Sequence, residues 1–219
     1  YVVGSFEDNI FKIGTLTADN YGGNNMWRDD AFFLKLDSLG HPIYVKNIGT
    51  PADDAAFNVV CDTTGGVYIF GHTGISTTIF KFDDQIAVPG SVAGTSLFYG
   101  KYDGVSGDCI WGKMGGSHYS SGYLNIYDIA MADYQSIIIC GKIIGQANLY
   151  PYSYNTYDEN GYVAKFDLEG NSIWLKPIGG QNSSEMATRV SYYKNKIAVC
   201  GSLYSNQPYL GNFPLYSIL

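Results

Sequence analysis

The stretch Asp30-Ala-Phe-Phe-Leu-Lys-Leu-Asp37, continuing to Val45-Lys-Asn-Ile-Gly49, decides the fold because the chain repeats it. Two later parts of the chain carry the same pattern: Ser96–Asp103 with Gly112–Gly115, and Gly161–Asp167 with Leu175–Gly179. The lysines that match Lys35 are Lys101 and Lys165, at spacings of 66 and 64 residues. Self-similarity at a nearly fixed period is typical of a repeat architecture.

A second pattern, Val67-Tyr-Ile-Phe-Gly71, follows the first and recurs in the other copies. Its matches are Ile137–Gly141, Ile197–Gly201 and the opening Tyr1–Gly4. The alternation of apolar residues predicts four short strands in each copy, which in the first copy are strand a (31–37), strand b (43–48), strand c (56–61) and strand d (67–72). Asp37–Gly40 and Asp62–Gly65 predict tight turns, because Asp accepts backbone N–H bonds and Gly tolerates a positive φ. The third copy has Lys194-Asn195 at its c–d turn instead.

Four-stranded units of this size predict an all-β fold, a β-propeller made of four-stranded antiparallel blades. About three blades are present, so the ring is incomplete. The whole of 1–219 is expected to form one propeller segment, divided into strand d of a preceding blade plus linker (1–29), two blades (30–95 and 96–160), and a blade plus linker to a missing blade (161–219). Closed propellers have 4–8 blades. We therefore expect a fragment of a longer protein, completed by further blades of the same chain or by other subunits.

Composition excludes several classes of protein. The chain has 13 basic and 20 acidic residues and a net charge of −7, which argues against a nucleic-acid partner. Aromatic residues make up 16% and charged residues 15%, the reverse of a disordered chain. No apolar run reaches the 18 or so residues of a membrane span.

The repeat resembles the SBBP-type β-propeller repeats of secreted and surface-attached bacterial proteins. The first copy carries the family pattern in the following residues: Asp30, Phe33, Lys35, Asp37, Lys46, Gly49, Asp62, Gly65, Tyr68 and Gly71. Trp111 and Trp174 hold a Trp position that Tyr44 takes in the first copy. The resemblance implies a propeller and an extracellular or cell-surface location, and it implies no single activity.

No catalytic or metal motif emerges from the sequence. His41, His72 and His118 fall at unrelated repeat positions, and no H-E-x-x-H or G-x-S-x-G is present. We expect no cofactor, although Asp29-Asp30, Asp53-Asp54 and Asp158-Glu159 could supply oxygen ligands to calcium. Cys140 and Cys200 occupy the same strand-d position and are expected to be buried free thiols, while a bridge involving Cys61 or Cys109 stays open.

Six lysines recur once per repeat at two positions: Lys35, Lys101 and Lys165, and Lys46, Lys113 and Lys176. A cation repeated at a fixed depth indicates an ion pair or a packed aliphatic stem. Asp37, Asp103 and Asp167 recur in step with these lysines and are the candidate partners.

The long d–a and b–c loops are expected to share one face and to differ between copies, whereas the a–b and c–d turns are short. Binding residues concentrate on variable loops of rigid scaffolds and are enriched in Tyr, Trp and Arg. The candidate binding residues on these loops are Trp27, Arg28, His118, Tyr119, Tyr150, Tyr152, Tyr154 and Tyr157. Tyr21 lies on the same loops, and Asn182 begins the N-glycosylation sequon Asn182-Ser-Ser184.

These patterns predict a non-catalytic extracellular scaffold that binds or adheres to a protein or glycan through its long-loop face. One alternative is a structural repeat segment of a surface fibre or large secreted protein. Another is part of a propeller enzyme, such as a glycoside hydrolase or lyase, whose carboxylate pair would converge at the ring centre.

Overall fold

The computed structural model describes residues 1–23, 28–74, 79–89, 96–116, 123–149, 151–180, 184–205 and 207–214. Over these ranges the protein is all-β. None of the described residues forms a helix of the length and apolarity that a membrane crossing requires. The chain divides into two compact units, which we call unit 1 (Tyr1–Met114) and unit 2 (Gly115–Leu219).

Two stacked sheets form unit 1. Its strands are β1 (Val2–Phe6), β2 (Ile10–Ile13), β3 (Leu16–Asp19), β4 (Asp30–Leu36), β5 (Pro42–Ile48), β6 (Asp54–Cys61), β7 (Gly66–Thr73), β8 (Ile79–Lys81), β9 (Ala87–Pro89), β10 (Ser96–Asp103) and β11 (Cys109–Gly116). The hydrogen-bonded orders are β1–β4–β5 and β6–β7–β10–β11, and β6 packs against β1 and β4. The core between them contains Phe33, Ile69, Phe98 and Tyr102, all at most 1% exposed.

Unit 2 also stacks one sheet on another. Its strands are β12 (Tyr123–Ala132), β13 (Ser136–Leu149), β14 (Tyr152–Asp167), β15 (Ser172–Gly179), β16 (Met186–Tyr193), β17 (Lys196–Ser202), β18 (Tyr209–Leu210) and β19 (Phe213–Pro214). Strands β12, β13, β14 and β15 pair in that order, β18 pairs with β15, and β16 pairs with β17. Strand β16 packs on β12, β13 and β14 around Ile138, Cys140 and Val190.

The individual strands lie where the sequence predicts them, within about two residues. In the first copy, strands a, b, c and d are β4, β5, β6 and β7. The sheets, however, join strands c and d of one copy to strands a and b of the next, as in β6–β7–β10–β11 and β12–β13–β14–β15. The expectation that strands a to d of one repeat hydrogen-bond into one sheet is therefore wrong. Each four-stranded sheet begins at strand c of one repeat and ends at strand b of the next.

The d–a connection explains this offset. In unit 1 its extra residues fold into the hairpins β2–β3 and β8–β9, so strand d and the following strand a return side by side. The pairing of β7 with β10 is continuous from Gly66 opposite Asp103 to Thr73 opposite Ser96. In unit 2 the equivalent connection prolongs β13 and β14 into one long hairpin.

The β8–β9 hairpin contributes to the core, although the sequence marks its residues only as loop. Phe80 and Phe82 are both 0% exposed. Their ring centroids lie 4.8 Å and 6.3 Å from that of Phe98. The connection is therefore part of the folded core of unit 1.

The a–b turns have the predicted chemistry. Asp37 Oδ1 accepts the N–H groups of Leu39 and His41 at 2.8 Å, and Gly40 has φ +85°.

The c–d turn of the third copy is a two-residue loop between β16 and β17. Lys194 and Asn195 have φ +47° and +60°, the conformation that two-residue hairpin loops favour.

For Lys35, Lys46 and Lys101, the predicted partners Asp37, Asp103 and Asp167 are wrong. Asp37, Asp103 and Asp167 instead accept N–H groups of their own turns. Lys46 Nζ pairs with Asp108 at 3.0 Å, and Lys101 Nζ lies 3.7 Å from Asp62. Lys35 Nζ donates to the Gly104 carbonyl at 2.6 Å, above the rings of Tyr1 and Tyr44. Two of these lysines therefore form ion pairs, and Lys35 packs against aromatic rings. Their partners lie outside the a–b turn of their own repeat, because the turn aspartates bind the N–H groups of that turn.

All four cysteines are free thiols. Cys140 is buried, as expected, and Cys109 is half-buried. The expectation of a buried thiol is wrong for Cys200, which is exposed although its counterpart Cys140 is not; Cys61 is exposed as well.

Candidate functional site

The predicted binding residues fall into two groups. Five of the predicted residues lie outside the described part of the chain: Trp27, His118, Tyr119, Tyr150 and the sequon residue Asn182. Arg28 is an exposed residue of unit 1, and its carbonyl accepts the Asn20 side-chain amide. Tyr152, Tyr154 and Tyr157 all lie on β14 in unit 2, so the structure brings these three together.

The three tyrosines of β14 have different environments. Tyr157 is 95% exposed and Tyr152 is 40% exposed. Tyr154 is half-buried, and its hydroxyl accepts the Asn160 amide at 2.8 Å and lies 3.1 Å from the Tyr209 hydroxyl. Tyr154 therefore ties the hairpin to β18, while Tyr152 and Tyr157 are free to meet a ligand.

A polar cluster lies on β14 two residues beyond Tyr157. The Glu159 carboxylate accepts hydrogen bonds from Tyr123 and Ser184, the latter at 2.5 Å, and pairs with Lys142 at 2.5 Å. Tyr123 stands on β12, Lys142 on β13 and Glu159 on β14, so three adjacent strands position the group. We call Tyr123, Lys142, Glu159 and Ser184 the Glu159 cluster.

The contacts within the Glu159 cluster keep Glu159 negatively charged and Lys142 positively charged. Hydrogen bonds from Lys142, Ser184 and Tyr123 lower the pKa of Glu159 to about 2. Burial opposes the charge on Lys142, but its contacts with Glu159 and Tyr123 outweigh burial and raise its pKa. The Lys142 side chain is 13% exposed and the Glu159 side chain 33% exposed. The cluster is therefore an ionised, pre-positioned set of hydrogen-bonding groups that solvent still reaches.

Buried acids at the starts of strands a and c anchor the connections. In unit 1, Asp30 Oδ2 accepts the Tyr21 N–H at 2.5 Å, and Asp54 Oδ2 accepts the Thr50 N–H at 2.6 Å. In unit 2, Glu185 Oε1 accepts the Ser205 N–H at 3.0 Å. A carboxylate that accepts backbone N–H groups holds a connection against the sheet.

Asp30 and Asp54 are both 0% exposed, and burial raises the pKa of each to about 7. A raised pKa is typical of a general acid. However, both carboxyl groups are out of reach of a substrate and already accept backbone donors. We therefore interpret them as structural anchors of unit 1.

The acidic pairs considered for calcium do not converge. Among the described residues, no group of three or more His, Cys, Asp or Glu side chains is placed to hold a metal ion. Asp29 accepts a hydrogen bond from Ser5, and Glu159 is occupied by its three donors. These contacts leave the carboxylates engaged with protein groups.

A small polar cleft of about 170 Å³ lies in unit 1. Its lining residues are Tyr21, Lys46, Asn47, Asp83, Asp84, Gln85 and Asp108. Asp83 accepts the N–H groups of Gln85, Ile86 and Cys109, and Lys46 is paired with Asp108. Its size is below the 300–1,000 Å³ or so of most ligand pockets, and many of its polar groups are already satisfied.

Sequence reasoning missed most of the Glu159 cluster. Tyr123 and Lys142 belonged to no motif, Ser184 was noted only as the end of a glycosylation sequon, and Glu159 only as a possible oxygen ligand of calcium. One signal was present, because Lys142 interrupts the apolar run Ile137–Gly145 of strand d. A charge in a strand buried on both sides implies a partner.

A scan against models of protein families finds none that matches this chain, and a search of curated proteins finds no similar sequence.

Proposed function

We propose that this chain is a non-catalytic β-propeller segment that binds a carbohydrate at the β13–β14 hairpin of unit 2. The propeller arrangement is supported by the two four-stranded meanders, each stacked on a neighbouring sheet inside its own unit. The resemblance to SBBP-type repeats and an extracellular or cell-surface location belong to the same proposal. A crystal structure in which the sheets do not radiate about one axis would contradict the propeller.

The exposure of Tyr157 beside the Glu159 cluster carries the binding proposal. An aromatic ring that is 95% exposed offers a flat apolar face to a ligand. The Glu159 cluster, two residues further along β14, holds a carboxylate, an ammonium group and two hydroxyl groups in a fixed arrangement, and beside their bonds to one another these groups can accept or donate further hydrogen bonds. This combination of ring and mixed donors and acceptors suits a sugar, which has apolar C–H faces and many hydroxyl groups.

The tyrosine contact can be tested by substitution. We expect Tyr157→Ala to weaken glycan binding about tenfold, because an aromatic anchor contributes on the order of 1–2 kcal/mol. Binding is measured on an array of mannose-, galactose- and N-acetylglucosamine-terminated oligosaccharides with the full chain. Tyr152→Ala should weaken binding less, because its ring is less exposed than that of Tyr157.

The matched control is Tyr134→Ala. Tyr134 is 67% exposed in the same unit but lies in the turn between β12 and β13, at the end of β12 opposite to Tyr123 of the Glu159 cluster. This variant should bind glycans as the parent does. Binding by no glycan on the array, or equal losses in the Tyr134 and Tyr157 variants, would contradict the proposed site.

A further inference from the structure

Strand β17 differs sharply from its repeat counterparts in exposure. The first six residues of β17 are exposed, whereas seven of the eight residues of β7, including its first six, are buried. Ile197 and Val199 are 39% and 38% exposed, while their equivalents Val67 and Ile69 are 0% exposed. The sequence pattern is shared, so the difference lies in what covers the strand.

The other d strands are covered by strand a of the following copy. Strand β7 lies between β6 and β10, and β13 lies between β12 and β14. Strand β1 likewise pairs with β4. In the described part of the chain, β17 belongs to a two-stranded sheet with β16.

A glycine in each d strand accommodates an aromatic ring of strand a. Gly4 lies opposite Phe32, Gly71 opposite Phe98 and Gly141 opposite Tyr162. The ring atoms stand 2.7, 2.4 and 3.0 Å from the point that a Cβ on these glycines would occupy. Gly201 is the fourth glycine of this series, and the atoms nearest its Cβ position all belong to Met186 and Ala187.

We propose that the outer edge of β17 binds the a–b hairpin of another repeat of this type, by antiparallel strand addition with an aromatic ring over Gly201. The two-residue turn at Lys194-Asn195 makes Tyr193 and Lys196 a hydrogen-bonded pair. The N–H and C=O groups of Ile197, Val199 and Gly201 therefore point to the outer edge. Addition of a strand to such an edge is a general recognition mode.

The known d–a registers define the occupant. Opposite Gly201 it carries an aromatic residue, as Phe98 and Tyr162 do at the equivalent positions. Opposite Val199 it carries an apolar residue or a glycine, as Leu34, Gly100 and Ala164 show at the equivalent positions. This inference rests on the strand pairing and is independent of carbohydrate binding at β14.

A register-specific disulfide trap tests the proposal. The probe is a peptide of residues 160–179 with Val163→Cys, because Val163 lies opposite Cys140, the counterpart of the exposed Cys200. In a glutathione redox buffer, thiol–disulfide exchange should join this peptide to Cys200. Mass spectrometry should find at least tenfold more adduct at Cys200 than with the same peptide carrying Ala164→Cys, whose side chain points to the opposite face.

Two further variants separate strand addition from simple thiol reactivity. Val199→Pro removes an outward N–H but no bond to β16, so it should abolish the adduct, whereas Val199→Thr should retain it. Tyr162→Ala in the peptide should lower the adduct about tenfold. The proposal is overturned if both cysteine positions react equally or if Val199→Pro has no effect. It is also overturned if sedimentation shows that a second copy of the chain occupies the edge and excludes the peptide.

Discussion

The free energy of unfolding of unit 1 is expected to fall as the pH rises from about 4 to about 7. Burial raises the pKa of Asp30 and Asp54 from 3.8 to about 7 in the folded chain. Between these values the folded state binds more protons than the unfolded state, so stability decreases with rising pH. A shift of about three pH units corresponds to about 4 kcal/mol for one carboxyl group.

The free energy of unfolding of unit 1 should also decrease as the pH falls below about 4. Burial opposes ionisation of Asp62, but N–H and hydroxyl donors from Gly66, Thr64 and Tyr68 lower its pKa to about 2. A lowered pKa stabilises the fold above the unfolded value near 4, and this contribution is lost as the pH falls toward 2. Unit 1 is therefore expected to be most stable near pH 4–5.

Asp30→Asn is the direct test. Asn160 occupies the equivalent position in unit 2, directly before the start of the shared pattern at Gly161, and is 2% exposed, so an amide fits there. The variant should be more stable than the parent at pH 7.5 by a few kcal/mol and should flatten the pH profile. Urea unfolding followed by fluorescence in a Trp174→Phe background reports unit 1, because Trp27 and Trp111 both lie within Tyr1–Met114.

Comparison of Asp30→Asn with the parent isolates the contribution of the Asp30 carboxyl group to the pH dependence of stability. Burial lowers the pKa of His72, which acts in the opposite direction, but parent and variant share that contribution. Asp19→Asn changes an exposed carboxylate of the same unit and serves as the matched control. If the free energies of unfolding of Asp30→Asn and the parent change in parallel from pH 4 to 8, burial does not raise the pKa of Asp30 as stated.

Phe80→Ala is expected to destabilise unit 1 by about 3–5 kcal/mol, the usual cost of truncating a buried aromatic side chain. Phe80 is 0% exposed, and its ring centroid lies 4.9 Å from that of Phe82 and 4.8 Å from that of Phe98. Removing the ring leaves a cavity between the β8–β9 hairpin and β10. The same fluorescence-monitored unfolding measures the loss.

The neighbouring residue supplies the control for Phe80. Ile79 is 59% exposed on the same strand, so Ile79→Ala should change the unfolding free energy by about 0.5 kcal/mol or less. Similar losses in the two variants would show that the hairpin is not part of the core. A loss confined to Phe80→Ala would show that a connection between strands d and a helps to stabilise the unit.

The sequence predicted the strands and turns well because those depend on local chemistry. Alternation at Phe33, Val67 and Ile69 places side chains on defined faces, and the repeats confirm the period. Asp37 and Gly40 form their turn with bonds inside a few residues. The candidate site was predicted only in part: Tyr152 and Tyr157 are exposed as expected, while Tyr154 serves the packing of the hairpin.

What only the tertiary structure decided is which elements become neighbours. A period-2 pattern fits any adjacent strand, so the sequence by itself could not show that strand d pairs with the next strand a. Long-range contacts made that choice, through rings such as Phe98 over Gly71. Pairing between strands also brings the residues of the Glu159 cluster together from β12, β13 and β14. It leaves the outer edge of β17 exposed. The sequence by itself determined an all-β repeat with its strands and turns, because those arise from neighbours along the chain.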